Sequence, residues 1–302
     1  VNGFDEQRAA LADVVAIPVS PFDARDRLDR DVYRALIRRL LDGGVRAVTP
    51  NGNTGEFYSL TPEERRVEVE LTVEETGGAA QVIAGVGLEV PTAVAAARHA
   101  AEAGAGLVMV HQPVHPYVSL DGWLAYHRAI AEAVPELGVV PYVRSASIDG
   151  ATIARLGDAC PNVIGVKYAV PDPVRFATVA RAAGRERFVW VAGLAELSAP
   201  PYFACGATGF TSGLVNVAPQ VSLDMLRALR AADYPAAMRV WDLIRPFEEL
   251  RAENQSANNV TVVKEALSAL GLCGRAIRPP SSVLPEAQRA AIATIVEGWG
   301  SR

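Results

Sequence analysis

The chain has 302 residues, a mass of 32.0 kDa, a formal net charge of −5 and half of its residues hydrophobic. That size suits one large domain with an appendage. No basic stripe marks a nucleic-acid surface, and no apolar run nears the ~18 residues of a membrane span, so neither nucleic acid nor membrane is an expected partner. Three cysteines, Cys160, Cys205 and Cys273, are too scattered for a disulfide framework or a zinc spacing. The opening Val1-Asn2-Gly3-Phe4-Asp5 has neither a basic nor an apolar leader segment, so a cytoplasmic location is expected.

Short apolar runs alternate with amphipathic ones along the chain. In order, strand 14–18 is followed by helix 30–41, strand 47–50 by helix 62–75, and strand 81–86 by helix 92–103. Strand 106–111 then precedes helix 123–133, strand 138–143 precedes helix 152–158, strand 163–167 precedes helix 174–183, and strand 188–192 precedes helix 198–205. An eighth strand is predicted at 209–212. Caps support several helix starts. Thr61-Pro62-Glu63-Glu64 offers an N-cap, a proline at the first helical position and acids against the dipole. Asp149 and Asp172 stand where caps are expected, and Gly43-Gly44 and Gly104 where helices end.

Eight βα repeats predict a (β/α)₈ barrel. A doubly wound sheet would need a glycine-rich turn after strand one, where the chain reads Val19-Ser20-Pro21-Phe22-Asp23. The remainder is helical, at 222–231, 235–250, 260–270 and 285–299, with loops at 254–259 and 278–282. The expected division is a barrel over 1–221 and a C-terminal helical domain over 222–302.

Of the 29 lysines and arginines only two are lysines, Lys167 and Lys264. Lys167 closes the apolar run Val163-Ile164-Gly165-Val166-Lys167. A lysine in an apolar pocket can shed its proton and become a nucleophile; an arginine cannot. Lys264 lies in a helical pattern in the appendage and is expected to be a surface or interface lysine, away from the barrel mouth.

Active sites of such barrels lie at the C-terminal strand ends. Strand two runs into Asn51-Gly52-Asn53-Thr54-Gly55-Glu56-Phe57, whose backbone N–H groups can turn inward toward an anion. Strand five ends in Pro141-Tyr142-Val143-Arg144, placing a phenol in the mouth. Strand eight runs into the small polar turn Thr211-Ser212-Gly213. Strand four runs into His111-Gln112-Pro113-Val114-His115-Pro116-Tyr117, where two histidines lack a matching carboxylate, so no metal site is expected.

Together these segments resemble the dihydrodipicolinate synthase / N-acetylneuraminate lyase family of Schiff-base-forming barrels, over almost the whole chain. Pro18-Val19-Ser20-Pro21-Phe22 is similar to the family's Pro-x-Thr-Pro-Phe. Gly52-Asn53-Thr54-Gly55-Glu56 is similar to its Gly-[Thr/Ser]-Thr-Gly-Glu, and the Lys167 strand matches its lysine strand. The resemblance implies that Lys167 attacks the ketone of a small 2-oxo acid, that Tyr142 shuttles protons and that Thr54 relays them while helping to hold the carboxylate. Gly52, Asn53, Arg144, Ser212, Gly213 and His115 are the expected substrate-binding residues, with Asn53 acting through its backbone N–H. His115 or Tyr117 stands where the synthases place a tyrosine that reaches a neighbouring subunit. No cofactor is expected, and a homotetramer built from dimers is.

The synthases read Tyr-Asn-x-Pro-x-Arg-Thr after strand five. This chain reads Tyr142-Val143-Arg144-Ser145-Ala146-Ser147, with the arginine two places beyond the tyrosine. That spacing is similar to the sugar-acid dehydratases, whose segment is Tyr-Asn-Arg, as is Glu56-Phe57-Tyr58-Ser59-Leu60. Their Asp-Gly-Thr-Gly after the lysine is replaced here by Tyr168-Ala169-Val170-Pro171. A 2-oxo-deoxy sugar-acid dehydratase or aldolase is the favoured expectation. Condensation of pyruvate with an aldehyde is the alternative, and a non-catalytic 2-oxo-acid-binding barrel is the third.

Overall fold

The computed structural model describes residues 3–300. Val1, Asn2, Ser301 and Arg302, and with them the outermost ends of the two predicted domains, lie outside the described residues. Eight parallel strands close into a barrel in chain order: β1 (Val14–Ala16), β2 (Ala47–Val48), β3 (Gln81–Val86), β4 (Leu107–Val110), β5 (Gly138–Val143), β6 (Gly165–Tyr168), β7 (Val189–Ala192) and β8 (Gly209–Ser212). β8 pairs with β1, Val15 opposite Thr211, and so closes the ring. The predicted barrel is therefore the observed fold.

Alternation along each strand separates two apolar populations. Val15, Ala47, Ile83, Leu107, Met109, Val140, Ile164 and Val191 fill the barrel interior. Val14, Ala16, Val48, Val108, Val166, Trp190 and Phe210 face outward, into the core shared with the surrounding helices. The register carries chemistry as well. Tyr142 on β5 is opposite Lys167 on β6, and Lys167 is opposite Val191 on β7, so phenol and amine both face inward near the C-terminal rim.

The helices start where short polar side chains cap them. α2 (Arg30–Asp42) has Asp29 accepting from Val32 N–H, and α3 (Pro62–Thr76) has a complete capping box between Thr61 and Glu64. α4 spans Val90–Ala103 and ends at Gly104, at φ 99°. Ser119 starts α5 (Leu120–Ala133) one turn earlier than the apolar pattern indicates. Asp149 and Asp172 cap α6 (Gly150–Ala159) and α7 (Pro173–Ala183). α8 spans Ala195–Ala204.

A helix absent from the sequence expectation, α1 (Asp5–Leu11), closes the N-terminal end of the barrel. Ala10 and Leu11 join the interior cluster, and Arg8 Nη1 donates to the carbonyls of Ile164 and Arg187 at 3.1 and 3.0 Å. Among the described residues the ligand-sized cavity of the barrel lies at the C-terminal end.

α9 (Pro219–Arg230) is the helix that follows β8, and Gln220 Nε2 ties it to the Gly43 carbonyl at the end of α2. The boundary expected between residues 221 and 222 lies within α9. The chain has no break in helical pattern there, because an eighth barrel helix and an appended one present the same amphipathic periodicity. Three helices extend beyond the barrel: α10 (Tyr234–Ser256), α11 (Asn259–Ala269) and α12 (Glu286–Gly300). Glu253, Asn254 and Gln255 leave helical geometry near the end of α10, where a loop is expected, and turn the chain into α11 across the barrel mouth.

Candidate active site

The open end of the barrel holds a cavity of about 660 Å³, with Lys167, Tyr142, Thr54 and Asn53 among its lining residues. Lys167 is 3 % exposed, and its Nζ lies 4.0 Å from the centre of the Tyr142 ring. No carboxylate is ion-paired with it among the described residues. Burial, aided by the charge of Arg144, brings its pKa down to about 7. An amine in this setting is substantially neutral at neutral pH, which is the form that adds to a carbonyl carbon. Gly193 at the end of β7 makes room for it: a Cβ there would lie 3.1 Å from Lys167 Cγ.

Tyr142 is also buried. Burial raises its phenol above the ordinary value, while the Arg144 guanidinium and the Asn53 side chain oppose the rise. Arg144 itself is exposed at the rim and forms no salt bridge among the described residues, so its field acts on both groups from the mouth. Asn53 and Thr54 both line the cavity with Tyr142, and the Asn53 side chain favours the ionised phenol. Thr54 Oγ1 also borders the turn after β8, 3.1 Å from where a Cβ on Gly213 would sit. The two residues open the short turn Asn53–Gly55, and N–H groups at the start of such a turn have no acceptor inside it.

The remaining expected residues separate. Gly213 borders the cavity; Gly52 packs under the turn, where a Cβ would come within 2.3 Å of Ile17 Cγ2. Ser212 turns its hydroxyl away from the interior. The register that points Thr211 inward, opposite Val15, points Ser212 outward, where its Oγ donates to Glu196 Oε1 and accepts from Val215 N–H at 2.9 Å. Thr211 is thus the inward hydroxyl of β8, and alternation along the strand was the signal for it. His115 is exposed on the β4–α5 loop, where its Nδ1 engages Tyr117 in the same loop, and it does not line the cavity of its own chain. His111 is buried, stacked on Phe57 at 4.1 Å, with Nε2 2.8 Å from the Asn51 carbonyl. Burial lowers its pKa to about 3, so it serves as a neutral strut under the mouth turn.

Lys264 corrects the expectation placed on it. It is fully buried and ion-paired with Glu56, the last residue of the motif after β2. It also donates to the Ala276 carbonyl at 2.7 Å and sits 4.3 Å over the Phe22 ring, which Arg278 covers at 3.9 Å. The helical periodicity around residue 264 carries no sign that its polar side faces the barrel. The appendage adds further groups that the sequence did not disclose. Glu248, Arg251 and Asn259 line the cavity from above, and Glu248 and Arg251 form a buried ion pair at 2.6 Å. Their spacing, three apart on a helix, matches any ordinary surface pair.

A family model described as the dihydrodipicolinate synthetase family matches residues 10–298. A probable 5-dehydro-4-deoxyglucarate dehydratase of Methylobacterium radiotolerans is 33% identical over 287 residues, covering 94% of this chain and 93% of that protein. A 4-hydroxy-tetrahydrodipicolinate synthase of Phenylobacterium zucineum is 35% identical over 288 residues, covering 93% of this chain and 95% of that one. Among solved structures, dihydrodipicolinate synthase from Bacillus clausii superimposes with a TM-score of 0.93 at 38% identity, covering 97% of this chain and 99% of that one. With a matching barrel, C-terminal helices and sequence likeness across nearly its full length, the chain belongs to the dihydrodipicolinate synthetase family.

Proposed function

We propose that the protein is a lyase in which Lys167 forms a Schiff base with a 2-oxo acid, and that its reaction is removal of water from a deoxy sugar acid. The carrying observation is a buried amine with no counter-ion among the described residues, its pKa lowered to about 7, set against the Tyr142 ring in the cavity at the C-terminal end of the barrel. A structural or purely binding role gives no reason to bury a lysine unpaired, since an apolar residue would fill the space without the desolvation cost.

In this reading the Asn53–Thr54 turn holds the substrate carboxylate by backbone N–H groups, with Arg144 adding positive charge at the rim. The neutral Lys167 amine adds to the carbonyl carbon, and protons carried by Tyr142 allow water to leave. The resulting iminium draws electrons from the adjacent carbon, which loses a proton. The enamine electron pair then expels hydroxide from the next carbon, and that hydroxide takes up a proton to leave as water. Thr54 relays protons to Tyr142 in this reading, and the neighbouring Asn53 side chain, which favours the ionised phenol, supports the same relay.

The dehydratase reading draws on the Methylobacterium radiotolerans relative and on the position of Arg144 two residues after Tyr142. Condensation of pyruvate with an aldehyde is the second reading, favoured by the Phenylobacterium zucineum and Bacillus clausii synthases. Borohydride reduction in the presence of pyruvate, followed by peptide mass analysis, tests the shared step: an adduct on Lys167 supports it, and absence of an adduct with any 2-oxo acid overturns it. Assaying sugar-acid dehydration against pyruvate–aldehyde condensation then separates the two reactions.

The proposal extends to a cytoplasmic homotetramer built from dimers. Exposed Val114 and Tyr117 on the β4–α5 loop support a subunit contact there, and light scattering on the purified protein tests the assembly. Three free thiols support the reducing compartment.

A further inference from the structure

We infer that the C-terminal helices supply a hydroxyl-binding subsite, made of Arg251, Glu248 and Asn259, that holds hydroxylated carbons of the substrate beyond the carbonyl attacked by Lys167. This inference rests on the Schiff-base reading for the position of the carbonyl, and deepens it by assigning what recognises the rest of the substrate.

The cavity walls divide by polarity. Beyond β7 the lining is Gly193, Leu194, Ala195 and Leu197, with one hydroxyl, that of Ser198, and no charged side chain. The one carboxylate in that stretch, Glu196, is fully buried and held by the hydroxyls of Ser212 and Ser222, so it does not meet a ligand. The charged groups on this side of the cavity come from α10, with Asn259 at the start of α11 beside them. A substrate with hydroxyls on its distal carbons has its matching surface on the appendage.

Arg251 is 4 % exposed, yet it borders the cavity. Its Nη1 donates to Glu248 Oε1 at 2.6 Å, its Nη2 to Asn259 Oδ1 at 2.7 Å and its Nε to the Asn259 carbonyl at 3.2 Å. A guanidinium carries five N–H donors, so one on each terminal nitrogen remains for a ligand. Glu248 accepts through Oε1 only; its Oε2 has no protein donor among the described residues. The wall therefore offers a spare donor beside a spare acceptor. A hydroxyl both donates and accepts and satisfies the pair at once, whereas a carboxylate only accepts and would meet the charge of Glu248.

The subsite is also continuous with the reactive end. A Cβ on Gly213 would fall 2.5 Å from Arg251 Nη2 and 3.1 Å from Thr54 Oγ1, so the guanidinium and Thr54 flank the same bare turn after β8. Glu248 and Asn259 fix the guanidinium before any ligand arrives, which lowers the ordering cost of binding.

The test uses Glu248→Gln and Arg251→Lys, both of which retain hydrogen-bonding groups, on the full-length protein. Two probes are compared: pyruvate, which has no distal hydroxyls, and 2-oxo-3-deoxygluconate, which has several. The expected result is a fall of about tenfold or more in the affinity for the sugar acid relative to that for pyruvate trapped by borohydride, the scale of one hydrogen bond to a charged group. A parallel fall for both ligands, or no change in the ratio, overturns the subsite. Calorimetry in a Lys167→Ala background reads the same contact without the covalent step. There Glu248→Gln must weaken binding of 2-oxo-3-deoxygluconate; an inert substitution overturns the subsite whatever the adduct does. If the wild-type protein gives no adduct and the Glu248→Gln variant still loses sugar-acid affinity, the subsite stands and only the Schiff-base reading is overturned.

Discussion

Lys264 and Glu56 stand 208 positions apart and form an ion pair with both side chains buried. The pair fastens α11 to the turn that follows β2, and Glu56 Oε2 also accepts from the Arg278 backbone N–H at 3.1 Å. The loop carrying Asn53 and Thr54 is thereby held from the C-terminal side as well as by its own strand.

Lys264→Met leaves the Glu56 carboxylate buried without its cation. Removing one partner of a buried pair costs about 3–5 kcal/mol, and replacing both costs far less. Urea denaturation of Lys264→Met, Glu56→Gln and the double variant checks this. The double variant should be the more stable of the two that carry Lys264→Met.

Lys167→Met should abolish turnover and stabilise the protein. The lysine's folded pKa of about 7 lies below its ordinary value, so between about pH 7 and pH 10 the unfolded chain binds more protons and stability rises with pH. Below about pH 7 both states are protonated and the burial cost is fully present. The stability advantage of the variant should therefore be largest near pH 6 and fade by about pH 10.5. An advantage equal at pH 6 and pH 10 would assign the titration to another group.

Arg144→Gln removes a cation that holds the Lys167 pKa down. The rising limb of adduct formation against pH should move upward. Since Arg144 is exposed, the displacement should be under about one pH unit and should shrink in high salt. A limb that stays in place at low salt would show that burial alone sets the amine.

Tyr142→Phe keeps the ring against Lys167 and removes the phenol. Turnover should fall by about 10²- to 10⁴-fold, the usual contribution of a positioned proton carrier. Prolonged borohydride trapping with pyruvate should still label Lys167, which separates loss of proton transfer from loss of the nucleophile.

Thr211→Val and Ser212→Ala should differ in kind. Ser212→Ala takes a donor from the buried Glu196 carboxylate and should cost about 1–3 kcal/mol of stability. Thr211→Val alters the inward face and should act on substrate KM. Denaturation midpoints and KM values measured together distinguish them.

The barrel was legible because its signals are local. Strand runs such as 81–86 and 138–143 carry enough apolar residues to be read singly, and caps such as Thr61, Asp149 and Asp172 act within three residues of themselves. Helix α1 escaped because its two buried residues, Ala10 and Leu11, are too few to form a periodic face. Ser212 borders the cavity as expected, but the direction of its hydroxyl, toward Glu196, was not legible. A small polar turn at a strand end marks the rim, while the direction of each side chain depends on the strand's register with β1.

By itself the sequence determined the eightfold βα rhythm, the apolar strand that ends in Lys167 and the inward tyrosine one strand earlier. Those features follow from periodicity and from the chemistry of single residues. Tertiary structure alone decided which charges meet. Residues 56 and 264, or 54, 213 and 251, are brought together by chain reversals across the barrel mouth, and burial there is what turns ordinary helix charges into a locked loop and a polar roof. Pairing and desolvation belong to the neighbourhood in space, and no spacing along the chain encodes them.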